Sequence, residues 1–333
     1  MEELKFEGQN LAEEKDWFEK QWANPEHVKV IGSDEHGLKS EFFDVYDIAP
    51  KGEQKSNEPI VIGMGWGAIP ESDKKRIKYL AEHGNRIIVS DTPHGISAES
   101  KEDYANVEME KMAGLIEGAR AKGIEIKEDG EVTGKMKLWG RSEGAIFSIF
   151  TAYFYPELVK DLVLENPAGL TGKINLGIFF KRWLGVMKQQ QWDKYQEKGV
   201  NPGDHMPEVF GRNPVKMIES VLAIATADVK DMLKEIRAHG IGVSVIATTD
   251  DKFFPIDKLA GTVEKEPLSI TGKVKEIIPG LTADDVDGFY VWEGTHDSAF
   301  YQPEKSAMVV DSAFDALDVK RKTREKNREE KRS

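Results

Sequence analysis

Gly140-Arg141-Ser142-Glu143-Gly144 sets a serine between two glycines, directly after the apolar run Met136 to Trp139 and directly before the apolar, small-residue stretch Ala145 to Phe154. A strand that turns at once into a helix crowds its own backbone, and a side chain at either flanking position would clash. Glycine on both sides relieves the crowding, and the turn lifts the serine hydroxyl out of the sheet. A serine that only N-caps a helix, by accepting a bond from an exposed amide, is the plainer reading. It leaves the strand before the serine without a reason. The pattern predicts a strand-turn-helix unit, with Ser142 as candidate nucleophile.

The rest of the chain reads as the sheet such a unit needs. His27 to Ile31 and Glu41 to Ile48 are strand-like, an opening antiparallel pair. The rhythm then alternates: PIVIGMG a buried strand, Ser72 to His83 a helix, Arg86 to Ser90 a strand, Glu102 to Lys122 a helix, MKLWG a strand, Ser142 to Phe154 a helix, DLVLEN a strand. Alternation of this kind predicts an α/β fold with a mostly parallel central sheet flanked by helices. It stops between about Leu170 and Asp228, where helical stretches carry Phe179, Phe180, Trp183, Met187, Trp192 and Tyr195, and resumes with IGVSVIATT and GFYVWEG. The expected organisation is a helical extension over 1–26, a core over 27–169 and 229–315, a helical cap or lid over 170–228, and a charged tail over 316–333. In the extension, Leu4, Leu11, Trp17, Phe18 and Trp22 have the spacing to dock on the core. VKRKTREKNREEKRS, at the end, is basic with almost nothing apolar, and reads as a solvated helix end or frayed tail rather than a contact for an acidic partner.

A serine hydroxyl becomes a nucleophile only beside a base, and the base is held in one tautomer by an acid. Where a turn of this kind carries the serine, the acid and then the base follow along the chain, each on a loop after a strand. His296, in Trp292-Glu293-Gly294-Thr295-His296-Asp297, is the histidine both downstream and so placed; His27, His36, His83 and His94 precede the serine, His205 falls in the cap and His239 before a strand. For the acid, Asp250 and Asp251 stand side by side after VSVIATT, with Glu165 after the preceding strand a lesser candidate. Acyl transfer also builds an oxyanion that backbone amides can hold. Glu143, after the serine, supplies one, and Trp66, between Gly65 and Gly67, the other. A carboxylate on Glu143 disfavours an oxyanion unless it is turned to solvent or paired, and Arg141 is a candidate partner.

Composition excludes other classes. With 39% hydrophobic and 32% charged residues the chain can build a core, and its formal charge of −13 argues against nucleic acid and anionic lipid as partners. The absence of cysteine removes disulfides, thiol nucleophiles and thiolate-held zinc. No histidine and carboxylate cluster has ligand spacing, so neither metal nor other cofactor is expected. The acidic start lacks the features of a signal peptide, and Ile174 to Met187, broken by Lys181 and Arg182, is too short to span a bilayer. A cytoplasmic monomer or homodimer without stable membrane insertion is the expectation.

Four blocks in order, Gly65-Trp66-Gly67, Asp91 to Ser97, Gly140 to Gly144 and Gly294-Thr295-His296-Asp297, resemble those of the α/β-hydrolase superfamily, in particular its serine esterase and lipase-like members with a helical lid. Members often place the triad aspartate four residues before a proline, as Asp251 stands before Pro255, so the resemblance favours Asp251 over Asp250. Met64, where many members carry histidine, and Glu143 depart from the pattern. A serine at the turn disfavours similar epoxide hydrolases and haloalkane dehalogenases, which use aspartate there. What the resemblance implies is a small-molecule substrate, an ester or lactone of small to medium apolar groups, with Phe179, Phe180, Trp183 and Met187 as pocket candidates. It leaves open thioester or amide hydrolysis, carbon–carbon cleavage in diketones, acyl transfer, a short-peptide hydrolase using Asp204 or Glu208, and a non-catalytic ligand-binding protein.

Overall fold

Runs of four to seven residues with few charges become the central strands, because these are buried on both faces of one sheet. A computed structural model describes residues 17–30, 41–91, 105–189, 214–260, 281–282 and 284–330. The strands are β1 (Glu26–Val30), β2 (Glu41–Ile48), β3 (Ile60–Gly63), β4 (Ile87–Ser90), β5 (Met136–Arg141), β6 (Val159–Glu165), β7 (Gly242–Thr248) and β8 (Gly288–Trp292). They form one sheet in the order β1-β2-β4-β3-β5-β6-β7-β8. β1, β2 and β4 pair antiparallel, and every pairing from β4 through β3 to β8 is parallel. The mostly parallel sheet expected from the alternation is what forms.

Helices cover both faces. On one lie α3 (Ala105–Ala121), α4 (Gly144–Phe154) and α7 (Met232–Ala238), with a core that includes Leu115, Ile146, Ile149, Leu164, Leu233 and Val245. On the other lie α1 (17–22), α2 (Pro70–Glu82) and α10 (Pro303–Glu330), over Ile60, Leu80, Trp139, Val163 and Phe314. Phe18 and Trp22 dock as their spacing predicts, Trp22 stacking on Tyr46 at 4.5 Å between ring centroids, while Leu4 and Leu11 lie outside the described residues. α5 (Leu176–Gln189) and α6 (Pro214–Thr226) come from the segment expected to form a cap; α8 (Ile256–Ala260) and α9 (Ser298–Tyr301) are short.

The chain runs from β3 outward to β4 and then returns to the other side of β3 for β5, so the strand order reverses between β3 and β5. Loops leaving such a point diverge, and the crevice between them is where parallel sheets bind ligands. Gly63 of β3 is paired with Gly140 of β5, which sends the Gly65–Gly67 loop and Ser142 out of the sheet side by side.

The basic end is not a tail apart. α10 continues unbroken to Glu330, exposed from Lys322 to Asn327 like the solvated helix end expected, while three of its cations reach buried acids: Arg321 contacts Asp161, and both Lys320 and Arg324 contact Asp287. These acids sit at the start of β6 and just before β8, both buried, so the positive excess at 316–330 answers negative charge in the sheet's floor. Burial pushes the Asp161 carboxyl up to about 6, with Arg321 opposing. An acid with a raised folded pKa binds its proton more tightly when folded, so it withdraws stability as pH rises from about 4 to about 6. Asp161→Asn cannot titrate. Its stability relative to wild type, from urea midpoints, should therefore climb across that window by as much as about 3 kcal/mol and stay level above it.

Candidate active site

The crowding inferred for the serine turn is visible atom by atom. A Cβ on Gly144 would stand 2.0 Å from the carbonyl oxygen of Gly63, and one on Gly140 would stand 2.7 Å from that of Gly144. Ser142 itself takes φ 53°, in the left-handed region that costs a non-glycine residue on the order of 1–3 kcal/mol. Backbone bonds from the end of β6 and the loop after it hold it there: Ser142 N donates to Glu165 O at 2.9 Å, and Ala168 N to Ser142 O at 3.0 Å. The hydroxyl therefore stands at the C-terminal edge of the sheet, above the start of α4.

Three of the candidate residues meet at that edge from β5, β7 and β8. Ser142 Oγ is 3.1 Å from His296 Nε2, and His296 Nδ1 is 2.8 Å from Asp251 Oδ2. The other Asp251 oxygen accepts the Phe253 and Phe254 amides at 2.7 and 2.9 Å, so the whole carboxylate is fixed. All three side chains are buried. Burial alone would lower the His296 pKa; the Asp251 carboxylate, by charge and hydrogen bond, more than offsets this and raises it above its usual value. Asp250 is exposed and pairs with Lys252, and Glu165 is taken by Arg76 at 2.9 Å and Ser306 at 2.7 Å on the far side of the sheet. Neither competing acid reaches the histidine.

The Gly65–Gly67 loop lies against the serine: a Cβ on Gly65 would be 3.2 Å from Ser142 Cβ. The Trp66 indole donates to Met217 O of α6 at 3.2 Å, which anchors the loop that carries the Trp66 amide. Glu143 opens α4, where the first amides have no partner within the helix. Its side chain is neither solvent-facing nor paired with Arg141. It is buried and contacts Lys111 of α3, because Arg141 is drawn the other way, over the Phe300 ring at 4.1 Å and to Asp297 at 3.6 Å.

The aromatic candidates divide. Phe179 is fully buried and meets Phe253 edge-on at 4.9 Å, and Phe253 lies 5.4 Å from the His296 ring. Trp183 packs partly buried on the core, and Arg182 of the same helix donates to Phe253 O at 3.1 Å. Phe180 is 52% exposed and points away from the site, since one helix cannot turn adjacent residues to the same face. The Met187 side chain, residues 92–97, Trp192, Tyr195, Asp204, His205 and Glu208 lie outside the described residues.

Asn166 is a site residue that the sequence reading misses. It follows β6 with φ 44°, its Oδ1 accepts from Thr248 N at 3.0 Å, and its Nδ2 donates to His296 O at 3.3 Å. It thus ties the end of β6 to the end of β7, which carries the acid, and to the backbone of the base. An asparagine ending a strand run is the available signal, since asparagine tolerates the left-handed region better than most residues.

Comparison with solved structures matches this architecture throughout. A bromoperoxidase from Bacillus anthracis superposes with TM-score 0.59 at 14% identity, covering 88% of this chain and all of that one. A thermophilic esterase from Thermogutta terrifontis gives 0.57 at 14% identity, over 88% of this chain and 99% of its own. The chain has the α/β-hydrolase fold. A meta-cleavage product hydrolase from Pseudomonas fluorescens IP01 shares this fold with TM-score 0.54 at 16% identity, over 87% of this chain and 97% of its own. No family model and no curated protein matches the sequence. Among the described residues no group of three or more histidine and carboxylate side chains could hold a metal ion, and no helix is long and apolar enough to cross a membrane.

Asn166→Ala leaves buried partners unpaired and a left-handed residue without its tolerant side chain. It should lower unfolding stability by about 1–3 kcal/mol, read from urea denaturation, with Asn166→Asp retaining the acceptor and losing less.

Proposed function

We propose that this protein is a serine hydrolase that cleaves carboxylic esters of small to medium apolar acyl or alcohol groups, lactones included, through an acyl-enzyme on Ser142. The observation that carries the reading is the unbroken relay Ser142 Oγ, His296 Nε2, His296 Nδ1, Asp251 Oδ2, with contacts of 3.1 and 2.8 Å, on a turn strained to lift the serine out of the sheet. In the reaction Nε2 takes the serine proton as Oγ attacks the carbonyl, and Asp251 holds the ring and stabilises the imidazolium. The Trp66 and Glu143 amides receive the oxyanion, a contribution worth about 3 kcal/mol for one such donor. The imidazolium then gives its proton to the leaving alcohol, and water, activated by the same nitrogen, releases the acid.

Phe253, 5.4 Å from the His296 ring and backed by Phe179, supports an apolar substrate, since the surroundings of the base are aromatic. The fold is one that esterases use, so ester cleavage asks for no chemistry foreign to it. α5 and α6 act as a cap over this edge of the sheet, bonded to the acid loop through Arg182 and to the Trp66 loop through Met217.

Short and long p-nitrophenyl esters, with a fluorophosphonate label alongside, test the reading. Wild type should turn over and label; Ser142→Ala should lose at least about a thousandfold in kcat and all labelling. A folded wild type that does neither overturns it. The base must be neutral to accept the proton, so kcat/KM should fall on the acid side with a midpoint above the ordinary histidine value of about 6.5. Asp251→Asn, without the charge that raises the histidine, should move that midpoint down as well as reducing the rate.

A further inference from the structure

The relay leaves unused a second buried set of charges, lying directly behind the serine turn. Glu143 contacts Lys111 of α3, Lys111 Nζ also donates to Ser220 Oγ of α6 at 2.9 Å, and Glu108, one turn before Lys111, lies 3.8 Å from the same ammonium. All four residues are buried. Two carboxyl groups thus face one ammonium. Among the described residues, the charged groups facing Glu108 are Lys111 on its own helix and Glu143 from α4; α6 presents the Ser220 hydroxyl, and Glu110 leaves α3 on the opposite side.

The second carboxylate has only the more distant ammonium to support it as an anion. Neither Glu108 oxygen accepts a hydrogen bond, both are closed to solvent, and the ammonium is beyond hydrogen-bonding distance because Glu143 and Ser220 have drawn it to themselves. A buried carboxylate that accepts no hydrogen bond, with a second carboxylate sharing its one cation, takes up a proton instead of staying charged. Protonated, Glu108 becomes a donor, and Glu143 is the acceptor beside it. Burial first, and then the Glu143 charge, raise the Glu108 carboxyl well above its usual range, with Lys111 opposing.

We propose that Glu108 and Lys111 are positioning residues of the oxyanion hole: protonated Glu108 and cationic Lys111 hold the Glu143 carboxylate between them, fixing the Glu143 amide and keeping its surroundings free of net negative charge. This rests on the ester-hydrolase reading for its catalytic consequence, though not for the proton on Glu108. It also accounts for an acidic residue next to the nucleophile, where its charge would otherwise oppose the oxyanion. Ser220 extends the arrangement to α6, so the helix that anchors the Trp66 loop through Met217 is bonded to the support of the other amide as well.

The consequence appears on the alkaline side. When Glu108 loses its proton, one unopposed negative charge remains behind the site, and kcat should fall by up to about tenfold per pH unit with KM little changed. Glu108→Gln keeps the donor and cannot titrate, so its alkaline limb should be flat. Coincident alkaline limbs in wild type and Glu108→Gln overturn the proposal, because a purely structural role would not set the pH profile. Infrared spectroscopy supplies the readout that needs no turnover. At about pH 8, where an acid of pKa near 6 such as Asp161 is ionised, a protonated carboxyl band should be present in wild type and missing from Glu108→Gln. No such band in the wild type alone, even if the variant fails to fold, overturns the proposal. A band without ester turnover or labelling leaves Glu108 protonated as inferred and overturns the ester-hydrolase reading instead.

Discussion

The site depends on how closely three stretches of backbone approach at the point where the sheet reverses its strand order. β3, β5 and the first turn of α4 come so near that Gly63, Gly140 and Gly144 leave no room for a Cβ. This approach turns Ser142 upward and sets the Gly65–Gly67 loop against it. Hydrogen bonds from β6 and the loop after it, on either side of the serine, then lock a conformation that an isolated peptide would not adopt.

Charge is buried around this turn in quantity, and Arg76 and Lys111 each gather a set of it. Arg76 lies under the sheet over the Trp139 ring, bound to Glu165 and Ser306, and so joins α2, β6 and α10 beneath the serine. Lys111 and Glu143 do the like above it. Buried ion pairs add little net stability over apolar packing, yet removing one member is costly. Their contribution here is to the placing of backbone. Arg76 fixes the end of β6, whose carbonyl holds the Ser142 amide, and Lys111 fixes the residue after it.

Much of this is legible in the sequence because the local rules agree with one another. Strand runs, helix periods and the glycines at 140 and 144 all point to one fold, and their boundaries lie within a few residues of those observed. His296 and Asp251 can be named because chain order and the Asp251 to Pro255 spacing leave few alternatives. Contacts between distant segments cannot be read. Nothing in the sequence says that Arg141 turns to Phe300 and leaves Glu143 to Lys111, thirty-two positions away. Phe180 is as apolar as Phe179, and only the rotation of α5 separates them. The inward contacts of the basic C-terminal run are illegible for the same reason: their acids, Asp161 and Asp287, lie in other elements.

The serine turn also bears on how such a chain can change over time. What it demands is local and small, a few glycines that cannot be enlarged and a serine whose strain the neighbouring strand supports. Helices α5 and α6, surface charges and the packing of either face are under no such demand and can be exchanged so long as volume and pattern are kept. The lasting content of a machine like this is its geometry, and two descendants can lose nearly every recognisable letter while the hydroxyl still stands in the same place.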